Sequence, residues 1–236
     1  MQEIYSKYIS KAGHVPVVRT EELNILSRYY SVNYLKYISN DKQTDILDVG
    51  CGGGAFLYFL QKKGYQNITG IDISKEQVEI ANFLVNGKAK LVNDTEAFLK
   101  NNPQKYNFIV MNDVIEHIPK RRILPLLKLC FNCLKEGGLL MIKTPSITNP
   151  FTIRSRYRDF THTTGFTEES IMSILSVAGY GEVIVRDEKI PLINLLVLFK
   201  LIIRKITGHL IKLICALYDS DVKIISKNLI AIAKKT

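Results

Sequence analysis

A run of glycines directly after a short apolar stretch, in the segment 46–56 (ILDVGCGGGAF), constrains the fold of this chain most strongly. The stretch 46–49 is aliphatic apart from one acid, as expected of a strand buried in a parallel sheet. The glycines let the backbone turn tightly and adopt positive φ. The next stretch, 55–64 (AFLYFLQKKG), predicts a helix that ends at Gly64. A strand, a glycine turn and a helix in this order predict a nucleotide-binding turn on a parallel sheet.

A second apolar run follows at 68–74 (ITGIDIS) and contains an acid, Asp72. We expect Asp72 at the end of the second parallel strand, where a carboxylate is two-pronged and accepts hydrogen bonds only. Such a group suits the two hydroxyls of a ribose. A glycine turn that binds no ligand is the alternative, and the strand–turn–helix context disfavours it.

The string D-V-G-C-G-G-G at 48–54 resembles motif I of the class I S-adenosylmethionine (SAM)-dependent methyltransferases, with an acid two places before the first glycine. SAM carries a sulfonium cation and an amino-acid tail instead of a pyrophosphate, so an acid beside the turn is tolerable. The resemblance implies that SAM is the cofactor and that these residues hold it: Asp48, Gly50, Cys51, Gly52, Gly54, Asp72 and Ile73.

Two later segments extend the resemblance. The segment 91–99 (LVNDTEAFL) resembles the end of the family's third strand, which implies that Asp94 meets the adenine amino group with the backbone of Thr95 alongside. The segment 106–119 (YNFIVMNDVIEHIP) resembles the fourth strand and its loop. It implies a set of residues at the methionine end of the cofactor: Asn112, Asp113 and His117.

The alternation of strand and helix signals predicts an α/β fold with a doubly wound sheet. The resemblance implies the rest of the architecture, a Rossmann-like sheet of seven strands in the order 3-2-1-4-5-7-6. The later segments that resemble the family's strands and last helix are 134–145, 162–180, 182–189 and 228–235.

The length of 236 residues suffices for a full core, so we predict a single methyltransferase domain over 1–236 with a helical arm at 1–43. The first residues lack the apolar region of a signal peptide, which predicts a cytoplasmic protein with free thiols. Cys130 and Cys133 lie one helical turn apart, and we interpret them as small core residues rather than a zinc or redox pair.

The net charge of +10 suggests a nucleic acid, a membrane surface or a phosphorylated substrate as partner, although a solvated basic surface would give the same total. The residues 111–114 (MNDV) differ from the N/D-P-P-Y/F string of methyltransferases that act on base nitrogens. No appended RNA-binding module is apparent. Nucleic acid is therefore not the expected partner.

The segment 190–226 is predicted as an amphipathic insertion between the sixth and seventh strands. It is rich in Leu and Ile, it carries basic residues, and it has no acid from Ile190 to Tyr218. Its apolar runs are too short to span a bilayer, and Gly208 is expected to break or bend the helix. Three roles stay open for it: a lid or extra core surface, a homodimer interface, and contact with an anionic membrane through 190–217.

Two histidines fall in loops at the carboxyl ends of strands, where open α/β sheets bind ligands. We expect His162 to be the general base, with Asp159 orienting it or replacing it, although a structural cap on the helix that starts near Thr167 is an equal alternative. For His117 we favour a structural or cofactor-shaping role. No converging cluster of carboxylates is visible in the loops, so we predict no metal site.

Arginines recur at every second position of the loop after the fifth strand, an arrangement that lets three guanidinium groups grip a phosphate or carboxylate. The predicted substrate-binding residues of this loop are Arg154, Arg156, Arg158 and Tyr157. A solvated loop face is the alternative.

The string DVIEHIP and the later FT-x-x-S segment resemble small-molecule O-methyltransferases of the ubiquinone pathway and of bacterial surface glycans. They imply O-methylation of a sugar hydroxyl in a cell-surface polysaccharide or its lipid- or nucleotide-linked precursor, at the inner face of the membrane. A polyprenyl-quinol acceptor and a non-catalytic SAM-binding scaffold are the alternatives.

Overall fold

The computed structural model describes residues 20–149, 157, 159–220 and 222–236. Within these ranges seven strands form one sheet in the order β3-β2-β1-β4-β5-β7-β6, which confirms the order expected from the sequence. Neighbours from β3 to β5 run parallel, and β7 lies antiparallel between β5 and β6. The strands are β1 (Ile46–Val49), β2 (Ile68–Asp72), β3 (Ala89–Leu91), β4 (Tyr106–Asn112), β5 (Leu134–Pro145), β6 (Glu182–Asp187) and β7 (Asn228–Lys234).

Helices cover both faces of the sheet, as in a doubly wound fold. Buried side chains of α1, α2 and α3 pack on one face, and those of α4, α5 and α6 on the other. The α-helices are α1 (Thr20–Asn33), α2 (Ala55–Lys62), α3 (Lys75–Val85), α4 (Thr95–Lys100), α5 (Lys120–Cys133), α6 (Glu168–Val177) and α7 (Leu195–Leu217). Two short 3-10 helices are η1 (Leu35–Tyr37) and η2 (Ile115–His117).

The cysteines predicted to lie in the core do so. Cys130 and Cys133 of α5 are fully buried in the cluster between the sheet and α4–α6. The thiol of Cys133 donates to the carbonyl of Leu99 at 2.9 Å. Their side chains therefore fill space between helix and sheet.

Helix α1 belongs to the predicted arm 1–43, of which residues 20–43 are described, and its last residue fixes it to the body. The Asn33 amide donates to the Lys189 carbonyl at 2.7 Å and accepts from the Lys189 N–H at 2.8 Å, while Arg186 donates to the Asn33 carbonyl at 2.6 Å. This anchorage holds the aromatic residues of α1 over the carboxyl ends of β1 and β4.

The insertion 190–226 forms one long helix, α7, in which none of the residues is buried. The break expected at Gly208 is wrong, because the helix continues through this position to Leu217. A single glycine costs a helix only about 1 kcal/mol, which the flanking aliphatic residues offset. In the part of the chain that the structure describes, no helix combines the length and the apolar character needed to cross a bilayer.

Candidate active site

The glycine turn lies between β1 and α2, at the carboxyl edge of the sheet. Its first residues are fixed to β2, because the N–H groups of Gly50 and Cys51 both donate to the carbonyl of Ile71, at 2.8 and 3.0 Å. Gly54 has a φ of +82°, and a Cβ there would lie 2.9 Å from Cβ of Ala81. Only glycine therefore allows α3 to pack against this turn.

Gly50 brings the loop after β4 against the same turn. Its φ is +71°, and a Cβ would lie 2.5 Å from Cγ2 of Val114. Val114 precedes η2, which contains Glu116 and His117. The glycine turn and the loop after β4, both of which the sequence assigned to the cofactor, are thus in contact.

Asp72 connects the glycine turn to the end of β2. Its Oδ2 accepts from the N–H of Gly52 at 2.9 Å, and its Oδ1 accepts from the N–H of Ser74 at 2.8 Å. Burial raises the pKa of Asp72, and the backbone hydrogen bonds oppose that rise. Each carboxylate oxygen has a second lone pair, so this group retains capacity for the hydroxyls of a ribose. The next residue, Ile73, exposes 44% of its surface and offers an apolar side beside them.

Asp48, in the middle of the sheet, is the acid two places before Gly50. It is buried, and its Oδ1 has no hydrogen-bond partner among the described residues. Burial, and then the neighbouring charge of Asp72, raise its pKa to about 8. An unpaired buried carboxylate is costly, and a cationic ligand would relieve that cost. The unpaired Oδ1 of Asp48 fits a cationic cofactor, and the glycine turn lets that cofactor approach the backbone closely. SAM carries a sulfonium cation and therefore meets the first condition.

Cys51 contributes its backbone to the turn, and its side chain is buried. Burial, followed by the charges of Asp48 and Asp72, raises the pKa of its thiol. A thiol that stays protonated is a poor nucleophile, so no catalytic role follows for it.

Asp94 and Thr95 lie after β3, beside the end of β2, where the Val92 N–H donates to the Asp72 carbonyl at 2.9 Å. Asp94 is the N-cap of α4, and its Oδ1 accepts from the N–H groups of Glu96 and Ala97. The side chain is exposed at the rim of the site.

Asn112 ends β4 and Asp113 follows it, and both side chains contact other elements. The Tyr34 hydroxyl donates to Oδ1 of Asn112 at 2.5 Å, which ties the segment after α1 to the site. Nζ of Lys143, near the end of β5, lies 2.5 Å from Oδ2 of Asp113. Burial lowers the pKa of Lys143, but the charge of Asp113 and its hydrogen bond outweigh that effect and raise it.

Glu116, His117 and His162 form a compact cluster. Each offers one donor atom, and these atoms lie within 4.8 Å of one another, close enough to hold a divalent cation. The Thr144 hydroxyl donates to Oε2 of Glu116 at 3.0 Å, while the buried Oε1 accepts from none of the residues that the structure describes. The sequence indicated no such set because the set contains a single carboxylate, and its two imidazoles come from distant segments.

The loop with His162 is fixed to η2, since the Thr163 N–H donates to the Glu116 carbonyl at 2.8 Å. The rings of His117 and His162 meet edge to face, with centroids 4.6 Å apart. Burial, and then the charge of His162, lower the pKa of His117. The lowered pKa favours the neutral form of the His117 imidazole.

A hydrogen-bonded chain connects Asp159 to His117. The Thr161 hydroxyl donates to Oδ1 of Asp159 at 2.6 Å and lies 2.7 Å from Nδ1 of His117. Because the single hydroxyl proton is directed to the carboxylate, Thr161 accepts from His117, and the lone pair of that imidazole is on Nε2. The sequence predicted that Asp159 orients His162. The side-chain hydrogen bonds connect the Asp159 carboxylate to His117 through Thr161, and the His162 N–H donates to the Asp159 carbonyl at 3.2 Å.

The predicted residues Arg154, Arg156 and Arg158 lie outside the described residues. Tyr157 is described, and 77% of its surface is exposed. The sequence missed several residues that position the site: Tyr34, Glu116, Lys143 and Thr161. Lys143 was open to prediction from its place at the carboxyl end of β5, whereas Tyr34 and Thr161 carry no such signal.

Comparison with known proteins assigns the family. The model of a family described as "Methyltransferase domain" matches residues 25–182. A ubiquinone biosynthesis O-methyltransferase of Vibrio cholerae is 34% identical over 103 residues, which are 42% of this chain and 41% of that protein. The one from Coxiella burnetii is 32% identical over 117 residues, 47% of this chain and 48% of that protein. The matches thus span less than half the length of these curated relatives.

Solved structures share the fold at low identity. A SAM-dependent methyltransferase from Archaeoglobus fulgidus has a TM-score of 0.68 at 21% identity, covering 90% of this chain and 94% of that one. Phosphoethanolamine N-methyltransferase 2 of Haemonchus contortus, in complex with SAM, has a TM-score of 0.56 at 17% identity, covering 100% of this chain and 57% of that one. By family and fold, this chain belongs to the methyltransferase domains, and its glycine turn and Asp48 fit SAM as the cofactor.

Proposed function

We propose that this enzyme methylates a sugar hydroxyl of a cell-surface polysaccharide or of its lipid- or nucleotide-linked precursor. The observation that carries the proposal is the chain Asp159–Thr161–His117, which fixes an imidazole with its lone pair on Nε2. Contact between Val114 and Gly50 keeps that imidazole beside the cofactor turn. A neutral imidazole in this position suits removal of a proton from a hydroxyl group.

The proposed mechanism assigns a separate task to each group. SAM supplies, when bound, a methyl group on a sulfonium whose sulfur leaves as a neutral thioether. His117, with His162 beside it, accepts the hydroxyl proton as the acceptor oxygen forms its new bond to the methyl carbon. Asp159, through Thr161, stabilises the imidazolium that results, and the proton then passes to solvent. The products are a methyl ether and S-adenosylhomocysteine.

An oxygen acceptor agrees with the curated relatives, which are named as O-methyltransferases. A sugar is preferred over other hydroxyl compounds because three arginines were predicted for the loop after β5, where they suit the phosphate of a nucleotide- or lipid-linked precursor. A lipid-linked precursor implies work at the inner face of a membrane, and 190–217 is the surface that would meet it.

The second candidate is a polyprenyl quinol, which the similarity to ubiquinone biosynthesis O-methyltransferases favours. A quinol carries no phosphate, so it would leave the predicted arginines without a role. A non-catalytic SAM-binding scaffold is the third candidate. It would keep the hydrogen bond between Gly52 and Asp72, but it would leave the chain Asp159–Thr161–His117 without a role.

A panel of acceptors tests the proposal. The purified protein is incubated with SAM labelled in the methyl group and with nucleotide sugars, polyprenyl-diphosphate sugars, hydroquinones or RNA. We expect label in a base-stable methyl ether of a sugar. Label in the hydroquinone alone would select the second candidate, and S-adenosylhomocysteine binding without transfer to any acceptor would select the scaffold.

A further inference from the structure

Helix α7 presents an apolar row to its surroundings. The members of the row are spaced by three or four residues, so they share one side of the helix. They are Leu195, Phe199, Ile202, Ile206, Leu210, Leu213 and Leu217, with exposed fractions from 49% for Ile202 to 82% for Leu195. An exposed apolar strip along a helix of 23 residues is unusual on a protein that meets only water, and it marks an interaction surface.

The opposite side of α7 is the side that is shielded. Its half-buried residues follow the same helical spacing, on the far side from the apolar row. They are Val197, Leu201, Gly208, Ile211 and Cys215. The apolar row thus points away from the shielded side.

Cations lie on both sides of the apolar row. On a helix with 3.6 residues per turn, Lys200 falls to one side of the row and Lys205 and Lys212 to the other, while Arg204 lies near the opposite side. No acid occurs from 190 to 218. The exposed surface is therefore apolar along its middle and positive along its edges.

We propose that α7 binds the surface of an anionic lipid bilayer, with its axis in the plane of the membrane. The apolar row enters the boundary between headgroups and acyl chains, and the flanking cations lie at the level of the lipid phosphates. The absence of a membrane-crossing helix from the described ranges agrees with a helix that lies on the bilayer. The inference holds for any acceptor, sugar or quinol.

The charges favour this occupant over a second copy of the chain. Two α7 helices packed row to row would bring their flanking lysines towards one another with no acid on either helix to pair with them. Like charges in contact disfavour association, whereas anionic lipids supply the compensating charge.

The absence of tryptophan from the chain permits a direct test. Phe199→Trp places a unique fluorophore in the apolar row, and Phe83→Trp, at a site 84% exposed on α3, is the matched control. With vesicles of phosphatidylcholine and phosphatidylglycerol we expect a blue shift and quenching by brominated acyl chains for Phe199→Trp alone. Phosphatidylcholine vesicles should give neither at the same lipid concentration.

Charge reversal supplies the second arm. The triple variant Lys200→Glu, Lys205→Glu and Lys212→Glu should lose at least about tenfold in affinity for anionic vesicles, while Lys62→Glu with Lys63→Glu should not. Retained S-adenosylhomocysteine binding shows that both variants fold. Equal shifts at 83 and 199, or no shift with anionic vesicles, would overturn the proposal. A dimer in solution that shields the fluorophore of Phe199→Trp from aqueous quenchers would also overturn it, in favour of a second copy.

Discussion

The backbone N–H of Gly52 donates to Oδ2 of Asp72 across 2.9 Å, so the glycine turn after β1 and the acid that ends β2 form one unit. The sequence contains them as two separate signals, twenty positions apart. In the fold they meet because β1 and β2 are parallel neighbours that end at the same edge.

Asp72→Ala should weaken the binding of S-adenosylhomocysteine by about tenfold or more, the scale of lost charge-assisted hydrogen bonds. Titration calorimetry measures the affinity. The control is Glu79→Ala, which removes an exposed acid of α3 and should leave the affinity unchanged. Affinity unchanged in Asp72→Ala would refute the assignment of this carboxylate to the ribose.

Gly54→Ala should destabilise the fold more than Gly137→Ala, measured by urea unfolding. Both glycines have positive φ, which costs a non-glycine residue about 1–2 kcal/mol. A Cβ at Gly54 would also lie within 2.9 Å of Ala81, whereas none of the described atoms lies within 4 Å of one at Gly137. Equal losses would mean that α3 moves aside without cost.

Asp48→Asn should raise the melting temperature of the cofactor-free protein, by an amount that depends on pH. The pKa of Asp48 rises from an ordinary 3.8 to about 8 on folding, so across that window the folded state binds more protons than the unfolded state. The native enzyme therefore loses stability as the pH rises, and the asparagine variant does not incur this loss.

Calorimetric scans at a series of pH values check this prediction. The advantage of Asp48→Asn should be small near the acid end of the window and largest at its upper end. An advantage that is constant with pH would show that the carboxylate finds a partner in the absence of cofactor.

His117→Ala and His162→Ala should lower kcat without changing the affinity for S-adenosylhomocysteine. A well-placed base contributes about 10²–10⁴-fold, and we expect the larger loss for His117. Thr161→Val should lose less, since it removes the link to Asp159 and leaves the imidazole in place. Partial rescue of His117→Ala by added imidazole would support proton transfer, and full activity of His117→Ala would exclude it.

Turnover should withstand exhaustive chelation by EDTA, because paired imidazoles suffice to take the proton. The donor set of Glu116, His117 and His162 makes this a demanding measurement. Turnover that EDTA abolishes and Mg²⁺ or Mn²⁺ restores would contradict this prediction. It would mean that a bound cation activates the acceptor hydroxyl by lowering its pKa.

Most of the fold could be predicted from local sequence patterns. The order of strands and helices, the glycine turn and the buried cysteines each follow from residues that are neighbours in sequence, and the structure agrees with them. The exception is Gly208, where a local rule predicted a break that the surrounding aliphatic residues override.

The candidate site was less accessible, because its geometry depends on contacts between distant segments. Thr161 lies 44 positions from His117, and nothing in either loop announces that they meet. The role of Glu116 depends on its hydrogen bond from Thr144, which forms only because β4 and β5 are neighbours in the sheet. The sequence therefore placed single site residues at the carboxyl edge of the sheet, but it did not predict their hydrogen-bond partners.

A crystal structure of the protein with S-adenosylhomocysteine tests the central claim most directly. We predict the ribose hydroxyls on Asp72, the backbone of Gly50–Gly54 against the ligand, and the sulfur on the side of His117. A ligand bound elsewhere, or an empty pocket at saturating concentration, would contradict the account.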